Sequence, residues 1–250
     1  MQHETLQLEN DALKFPPQLR CLLIGPSQSG KTTFIKSVIR YRQYLFVKSP
    51  DLILYVSPNL GETYLSHEAE FINEMKQLAG ETPIHFLGKL PSVEELMSYV
   101  HRPNFKVLYI IDDYHQAMFD DDNIAQCFIR LSSHNGIDVI ATAHSAFSNG
   151  KFYSLIFRNS NCIILYRCLS DKSTDQLLAR KCFPGRPTFI REAFDQVMSH
   201  CGPHTPLVFQ FNIGNLLNHR FPIKSRILPY SDRQGRLRLL PIYFGWKGSH

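Results

Sequence analysis

Leu19-Arg20-Cys21-Leu22-Leu23-Ile24-Gly25-Pro26-Ser27-Gln28-Ser29-Gly30-Lys31-Thr32-Thr33-Phe34-Ile35-Lys36-Ser37-Val38-Ile39 is an apolar run, a glycine-bounded loop and a helical pattern in direct succession. The loop fits GxxxxGK[ST] at every fixed position, a match that chance places in on the order of one chain in a hundred of this length. Strand, loop and helix in that order is the context such a loop needs. Gly25 and Gly30 let the backbone curl so that successive N–H groups turn inward toward phosphate oxygens. The helix start adds its partial positive charge. In this reading Gly25, Pro26, Ser27, Gln28, Ser29, Gly30, Lys31, Thr32 and Thr33 wrap the phosphates of ATP. Lys31 reaches the β- and γ-phosphates and the Thr32 hydroxyl ligates Mg2+.

A phosphate loop needs an acidic counterpart at the end of a buried strand. Val107-Leu108-Tyr109-Ile110-Ile111-Asp112-Asp113 supplies one, an apolar run ending in two carboxylates. Asp112 is expected to hold the magnesium shell, and Asp113 to orient or deprotonate the attacking water. About 80 residues separate the two motifs, room for two inserted strands with their crossovers. The expectation is that the loop strand and the acidic strand are then neighbours in the sheet, an arrangement of motor ATPases that favours hydrolysis over simple phosphoryl transfer. Asp120, Asp121 and Asp122 precede the helical pattern Ile124, Phe128, Leu131, and Asp122 reads as its N-cap.

The rest of the chain suits an α/β fold with a mostly parallel sheet covered by helices on both faces. Strands are expected at Leu19–Ile24, Leu52–Val56, Ile84–Leu87, Val107–Ile111, Ile137–Ala141, Cys162–Tyr166 and Leu207–Phe211. Ser92 with Glu95 and Ser173 with Gln176 read as capping boxes. Ile190, Phe194, Val197 and Met198 form one apolar helical stripe. Residues 1–12 read as an N-terminal arm, 13–230 as one ATPase domain and 231–250 as a basic extension.

Composition fits this picture. Of 250 residues, 44% are apolar and 20% charged, ordinary for a globular protein. The sequence holds no run of 18 apolar residues and no secretory leader, so the expected setting is intracellular, without membrane contact. Cys21, Cys127, Cys162, Cys168, Cys182 and Cys201 form no CxxC pair and read as reduced, mostly buried thiols. Net charge is +5. Between Arg220 and Lys247, the basic residues Arg220, Lys224, Arg226, Arg233, Arg236, Arg238 and Lys247 face a single acid, Asp232. That stretch reads equally well as a solvated tail or a phosphate-binding surface.

Beyond the two motifs, the order of several stretches carries a likeness. Pro16-Pro17 precedes Ile24–Thr33. Leu54-Tyr55 comes with Pro58-Asn59, Phe86-Leu87-Gly88 precedes Leu90-Pro91, and Ile110-Ile111-Asp112-Asp113 follows. Then come Ser133-His134-Asn135 before Ile137–Ala141, Phe147 with Gly150-Lys151, Asn159, Asp171, Leu178-Ala179-Arg180 and Phe183-Pro184. Over roughly residues 14–230 the chain resembles the viral DNA-packaging ATPases of the FtsK–HerA superfamily, the poxvirus and Maverick/Polinton type. The resemblance implies a RecA-like P-loop NTPase fold of the ASCE type and a homo-oligomeric ring, hexameric or pentameric. It also implies threading of double-stranded DNA into a capsid, with the capsid protein as a further partner and a virion-associated setting. It further implies a polar sensor, usually glutamine, after the fourth core strand, and an arginine acting across the subunit boundary. Here His144 holds the sensor position, able to bond the γ-phosphate or the water. The usual arginine, three residues after the lysine of Gly150-Lys151, is Ser154. Arg158 is the nearest substitute, with Arg167 and Arg180 as alternatives. The sequence leaves two other classes open, another P-loop machine such as a helicase, and a nucleotide-binding switch that hydrolyses little.

Overall fold

The computed structural model describes residues 14–60, 66–132, 135–168, 176, 188–201, 204–210, 223–225, 230–231, 237–238 and 242–244. The arm 1–12, Ser133, His134, Asp171, Ser173, 178–184 and most of the basic stretch beyond residue 210 lie outside them.

All seven expected strands are present: β1 (Arg20–Ile24), β2 (Leu52–Val56), β3 (Ile84–Leu87), β4 (Val107–Ile111), β5 (Ile137–Ala143), β6 (Cys162–Leu165) and β7 (Leu207–Gln210). Short strands β8 (Ile223–Ser225), β9 (Tyr230–Ser231), β10 (Leu237–Arg238) and β11 (Ile242–Phe244) follow. The main sheet runs β11-β8-β7-β6-β1-β5-β4-β2-β3. From β6 to β3 every pairing is parallel, whereas β7, β8 and β11 add on antiparallel beyond β6. β11 therefore places part of the stretch expected as an extension in the main sheet.

The central order β6-β1-β5-β4-β2, with the glycine loop after β1, is the RecA-like arrangement of P-loop NTPases. It corrects one expectation. β1 and β4 are not neighbours, because β5 pairs with both, Leu23 to Thr142 on one side and Ile111 to Ala141 on the other. The inserted strands β2 and β3 go to the far side of β4 instead.

Strand parity divides the core into two layers. Cys21, Leu23, Ile53, Tyr55, Leu108 and Ile110 pack on one face with Phe34, Ile35, Val38 and Ile39 of α1 (Lys31–Arg40) and Met75 and Ala79 of α3 (Ser66–Ala79). Between these helices, the short α2 (Arg42–Leu45) contributes the buried Arg42. Its guanidinium donates to the carbonyls of Ile39, Leu78 and Ala79 and so satisfies the C-terminal ends of α1 and α3. Leu22, Ile24, Leu54, Val56, Tyr109 and Ile111 face the other way, toward Leu96 of α4 (Val93–Ser98), Ile124 of α5 (Asp122–Gln126), Ile156 of α6 (Tyr153–Asn159) and Ile190, Phe194 and Val197 of α7 (Phe189–Cys201). Both sheet faces are covered, which is why the strands read as continuous apolar runs.

Local signals were largely those expected. Ser92 and Glu95 form a full capping box. The cap of α5 is one residue earlier than expected: Asp121 accepts the Ile124 N–H at 3.0 Å, the three-residue reach an N-cap needs, so Asp122 falls in the first turn. After α5 the chain widens into a π-turn over Cys127–Leu131. Cys21, Cys127 and Cys162 are buried free thiols. Among the described residues, no helix is long and apolar enough to cross a membrane.

One buried acid lies at the sheet edge where β5 begins. Asp138 is 5% exposed and accepts the Leu19 N–H at 2.7 Å. Burial pushes its pKa up to about 6, against the opposing pull of Lys106 and of that hydrogen bond. A carboxyl raised on folding favours the folded state while protonated. Its contribution is complete below the ordinary value of 3.8 and is lost as pH rises through about 6. A shift of that size corresponds to roughly 3 kcal/mol. Asp138→Asn keeps an acceptor for Leu19 and removes the titration. The variant is therefore expected to match wild type at pH 4 and to melt higher at pH 7. Thermal melts that run parallel across this range would refute the assignment.

Candidate nucleotide and magnesium site

The loop leaves β1 at Gly25 and enters α1 at Lys31. A Cβ on Gly25 would lie 2.7 Å from both Ser29 Oγ and Tyr166 Cβ, so a side chain there has no room. Gly30 takes φ 105°, a left-handed conformation that glycine adopts without strain, and it is the N-cap of α1. That cap brings no side chain, and no acid stands in the first turn. The helix therefore starts at Lys31 with its leading N–H groups uncapped by any side chain.

Tyr166, directly after β6, supports the loop from behind. Its hydroxyl donates to Gly30 O at 3.2 Å, and its ring passes 3.5 Å from where a Gly30 Cβ would be. Burial raises the phenol pKa well above its ordinary value. The sequence reading missed this residue, although it stands at the end of an expected strand.

Lys31 is 7% exposed, and its Nζ donates to Gly25 O at 2.7 Å and Pro26 O at 2.8 Å. Burial lowers its pKa, while the charges of Asp113 and Asp112 push it back up. The lysine and the two carboxylates thus feel one another across the site, though far apart along the chain. Thr32 and Thr33 are exposed on the first turn of α1.

The acids follow β4. Asp112 is 5% exposed. Tyr55 donates its hydroxyl to Oδ2 at 2.5 Å, and Thr142 donates to Oδ1 at 2.8 Å. Burial, then the charge of Asp112, drive the Tyr55 pKa far upward, so its proton stays on the phenol. Thr142 Oγ1 also accepts the Asp113 N–H at 3.0 Å. Asp113 has φ 64°, a left-handed conformation uncommon outside glycine, and its side chain is 43% exposed. Strain of this kind concentrates at functional sites.

His144, the residue after β5, connects the halves. Its Nε2 lies 3.6 Å from Asp113 Oδ1, and its Nδ1 lies 3.4 Å from Ser27 Oγ. The insertion of β5 between β1 and β4 is what puts Thr142 and His144 there.

The structure does not bring Arg158 to this site. It is exposed in the last turn of α6, three residues before Asn161, which exchanges hydrogen bonds with Arg20 at the start of β1. That is the opposite sheet edge, about 13 Å away along a five-residue strand. Arg167 lies on the loop side but pairs with Asp195 at 2.7 Å on α7. Arg180 lies outside the described residues.

The residues present suit a metal-bound polyphosphate. Ser29 Oγ is buried without a hydrogen-bond partner among the described residues, beside the Gly25 cradle. Lys31 spends its amine on loop carbonyls, which an anion could replace as acceptor. The Thr32 hydroxyl and the Asp112 carboxylate are hard oxygen donors of the kind Mg2+ takes.

No protein-family model matches the chain, and no curated protein matches it in sequence. Three solved structures match the chain in part. The genome packaging NTPase B204 of Sulfolobus turreted icosahedral virus 2, solved with ATP-gammaS, is 12% identical over 79% of this chain and 95% of its own, with a TM-score of 0.48. A DnaB-like replicative helicase is 14% identical over 61% of this chain and 48% of its own (TM-score 0.40). The flagellar accessory protein FlaH of Methanocaldococcus jannaschii is 16% identical over 63% and 76% (TM-score 0.39). At such identities, and with TM-scores below 0.5, these likenesses carry no weight for this chain. This chain has the fold of a P-loop NTPase, and its own strand order and loop establish that.

Proposed function

We propose that the chain is a Mg2+-dependent ATPase, one subunit of a homo-oligomeric ring that drives double-stranded DNA into a viral or virus-like capsid. The observation that carries the ATPase reading is geometric: His144 lies 3.4 Å from Ser27 Oγ of the loop and 3.6 Å from Asp113 Oδ1, so the phosphate loop and the acids meet at one end of the sheet. The packaging reading draws on the ordered likeness of the motifs to FtsK–HerA packaging ATPases.

Each residue then has a task. The loop 25–33 and the α1 N-terminus seat the triphosphate, and Lys31 turns from Gly25 O and Pro26 O to the β- and γ-phosphates. Thr32 and Asp112 hold Mg2+, which would neutralise charge developing on the phosphate oxygens. Asp113, partly exposed at the mouth, accepts a proton from the attacking water. His144, within reach of both Asp113 and the loop residue Ser27, senses the γ-phosphate. Arg158, on the far edge, has no part in its own chain's site in this reading; it serves the site of the next subunit, where a permanent planar cation spreads over the transferring phosphoryl group.

Duplex DNA is expected to stimulate ATP turnover more than single strands do, and the stimulation should fall steeply with salt, since phosphate contacts release counterions. Light scattering with nucleotide should give the mass of five or six protomers. Better stimulation by single strands would favour a helicase. Turnover indifferent to both nucleic acids, from a monomer, would remove the motor reading and leave a nucleotide switch.

A further inference from the structure

Asp112 is held by two hydroxyls, one on each carboxylate oxygen, and neither comes from its own strand. Tyr55, on β2, reaches Oδ2 at 2.5 Å, and Thr142, on β5, reaches Oδ1 at 2.8 Å. Together they stop the carboxylate turning about its terminal torsion and leave acceptor capacity on each oxygen unspent. The donors are neutral. An arginine or lysine in either place would also fix the acid, but would cancel the charge that a divalent cation needs. The tyrosine is itself immobilised, 2% exposed, with its ring 5.5 Å from Phe71 of α3 and 5.9 Å from Phe86 of β3. Thr142 has a second duty, since its oxygen accepts the Asp113 N–H at 3.0 Å and so sets both acids from one point.

We infer that Tyr55 and Thr142 are positioning residues for magnesium, orienting Asp112 toward the cation without neutralising it. The inference rests on the proposed reading of Asp112 as the residue that holds the metal. Partners of metal ligands set affinity because they fix the ligand's direction, and losing one typically weakens binding by about 10–100-fold. The effect should fall on the metal and leave the nucleotide's own affinity intact, since neither hydroxyl belongs to the phosphate loop.

The test uses the full chain with a non-hydrolysable ATP analogue and Mn2+ as a spectroscopic stand-in for Mg2+. Tyr55→Phe keeps the packed ring, and Thr142→Val keeps the β-branched shape, so each removes one hydroxyl; thermal melts identify which variants fold. The Mn2+ dissociation constant, read by electron paramagnetic resonance, is expected to rise about tenfold in either folded variant. Analogue affinity in the presence of EDTA should stay at the wild-type value, and turnover of Tyr55→Phe, which does not touch Asp113, should recover at high Mg2+. A folded variant that binds Mn2+ as wild type does, or a folded Tyr55→Phe protein whose turnover no Mg2+ concentration restores, overturns the inference. Asp112→Ala separates the two levels. If it binds Mn2+ normally, the magnesium reading of Asp112 fails; if it does not, and the hydroxyl variants do, only the positioning roles fail.

Discussion

Lys31→Ala is expected to lower ATP affinity by on the order of 100-fold or more and to leave no measurable turnover. Two charge-assisted hydrogen bonds to phosphate oxygens are worth about 1.5–3 kcal/mol each, and each 1.4 kcal/mol is about a tenfold change in affinity. In the structure the amine is tied to Gly25 O and Pro26 O. Those bonds hold the loop closed on itself, so the substitution also loosens the loop, and a melting curve is needed beside the binding measurement. Fluorescent nucleotide titration gives the answer. Wild-type affinity in a folded Lys31→Ala protein would end the phosphate-loop assignment and, with it, the enzyme reading.

Asp113→Asn separates chemistry from binding. Removing a general base typically costs about 10²–10⁴-fold in rate, so kcat should fall by at least about 100-fold while ATP affinity changes only a few-fold. The substitution is a clean one here. Asparagine tolerates the left-handed backbone that residue 113 adopts, φ 64°, and its N–H can still donate to Thr142 Oγ1. The buried partner Asp112 keeps both of its hydroxyl contacts. Pre-steady-state measurement of bound ATP and released phosphate distinguishes the outcomes. Undiminished turnover would move the base elsewhere, with His144 the next group to test, and loss of binding as well would make Asp113 a structural residue.

Much of the fold was legible because a sheet covered on both faces writes itself as apolar runs, and the seven runs became seven strands. The P-loop and the double aspartate were legible for another reason: their chemistry fixes both residue type and spacing. The sheet order was not. Nothing in a run such as Ile137–Ala141 says which neighbours it will take, and β5 went between the two strands expected to touch. The same run was expected to stop two residues early. Its continuation to Ala143 brings Thr142 level with the acids, and a lone threonine in an apolar stretch was the signal available for that. Tyr55 and Tyr166 were hidden differently. Each looked like one more large residue in a core strand, and only the folded chain brings the polar partner of the hydroxyl, Asp112 just past β4 for Tyr55 and Gly30 at the end of the loop for Tyr166.

The placement of β5 also fixes an aperture. Adjacent strands lie about 4.8 Å apart, so the ends of β1 and β4 stand about 9.6 Å from one another with β5 as a shim of constant thickness. That gap belongs to the backbone ladder rather than to any side chain, which makes the two sides of the site hard to spread by mutation.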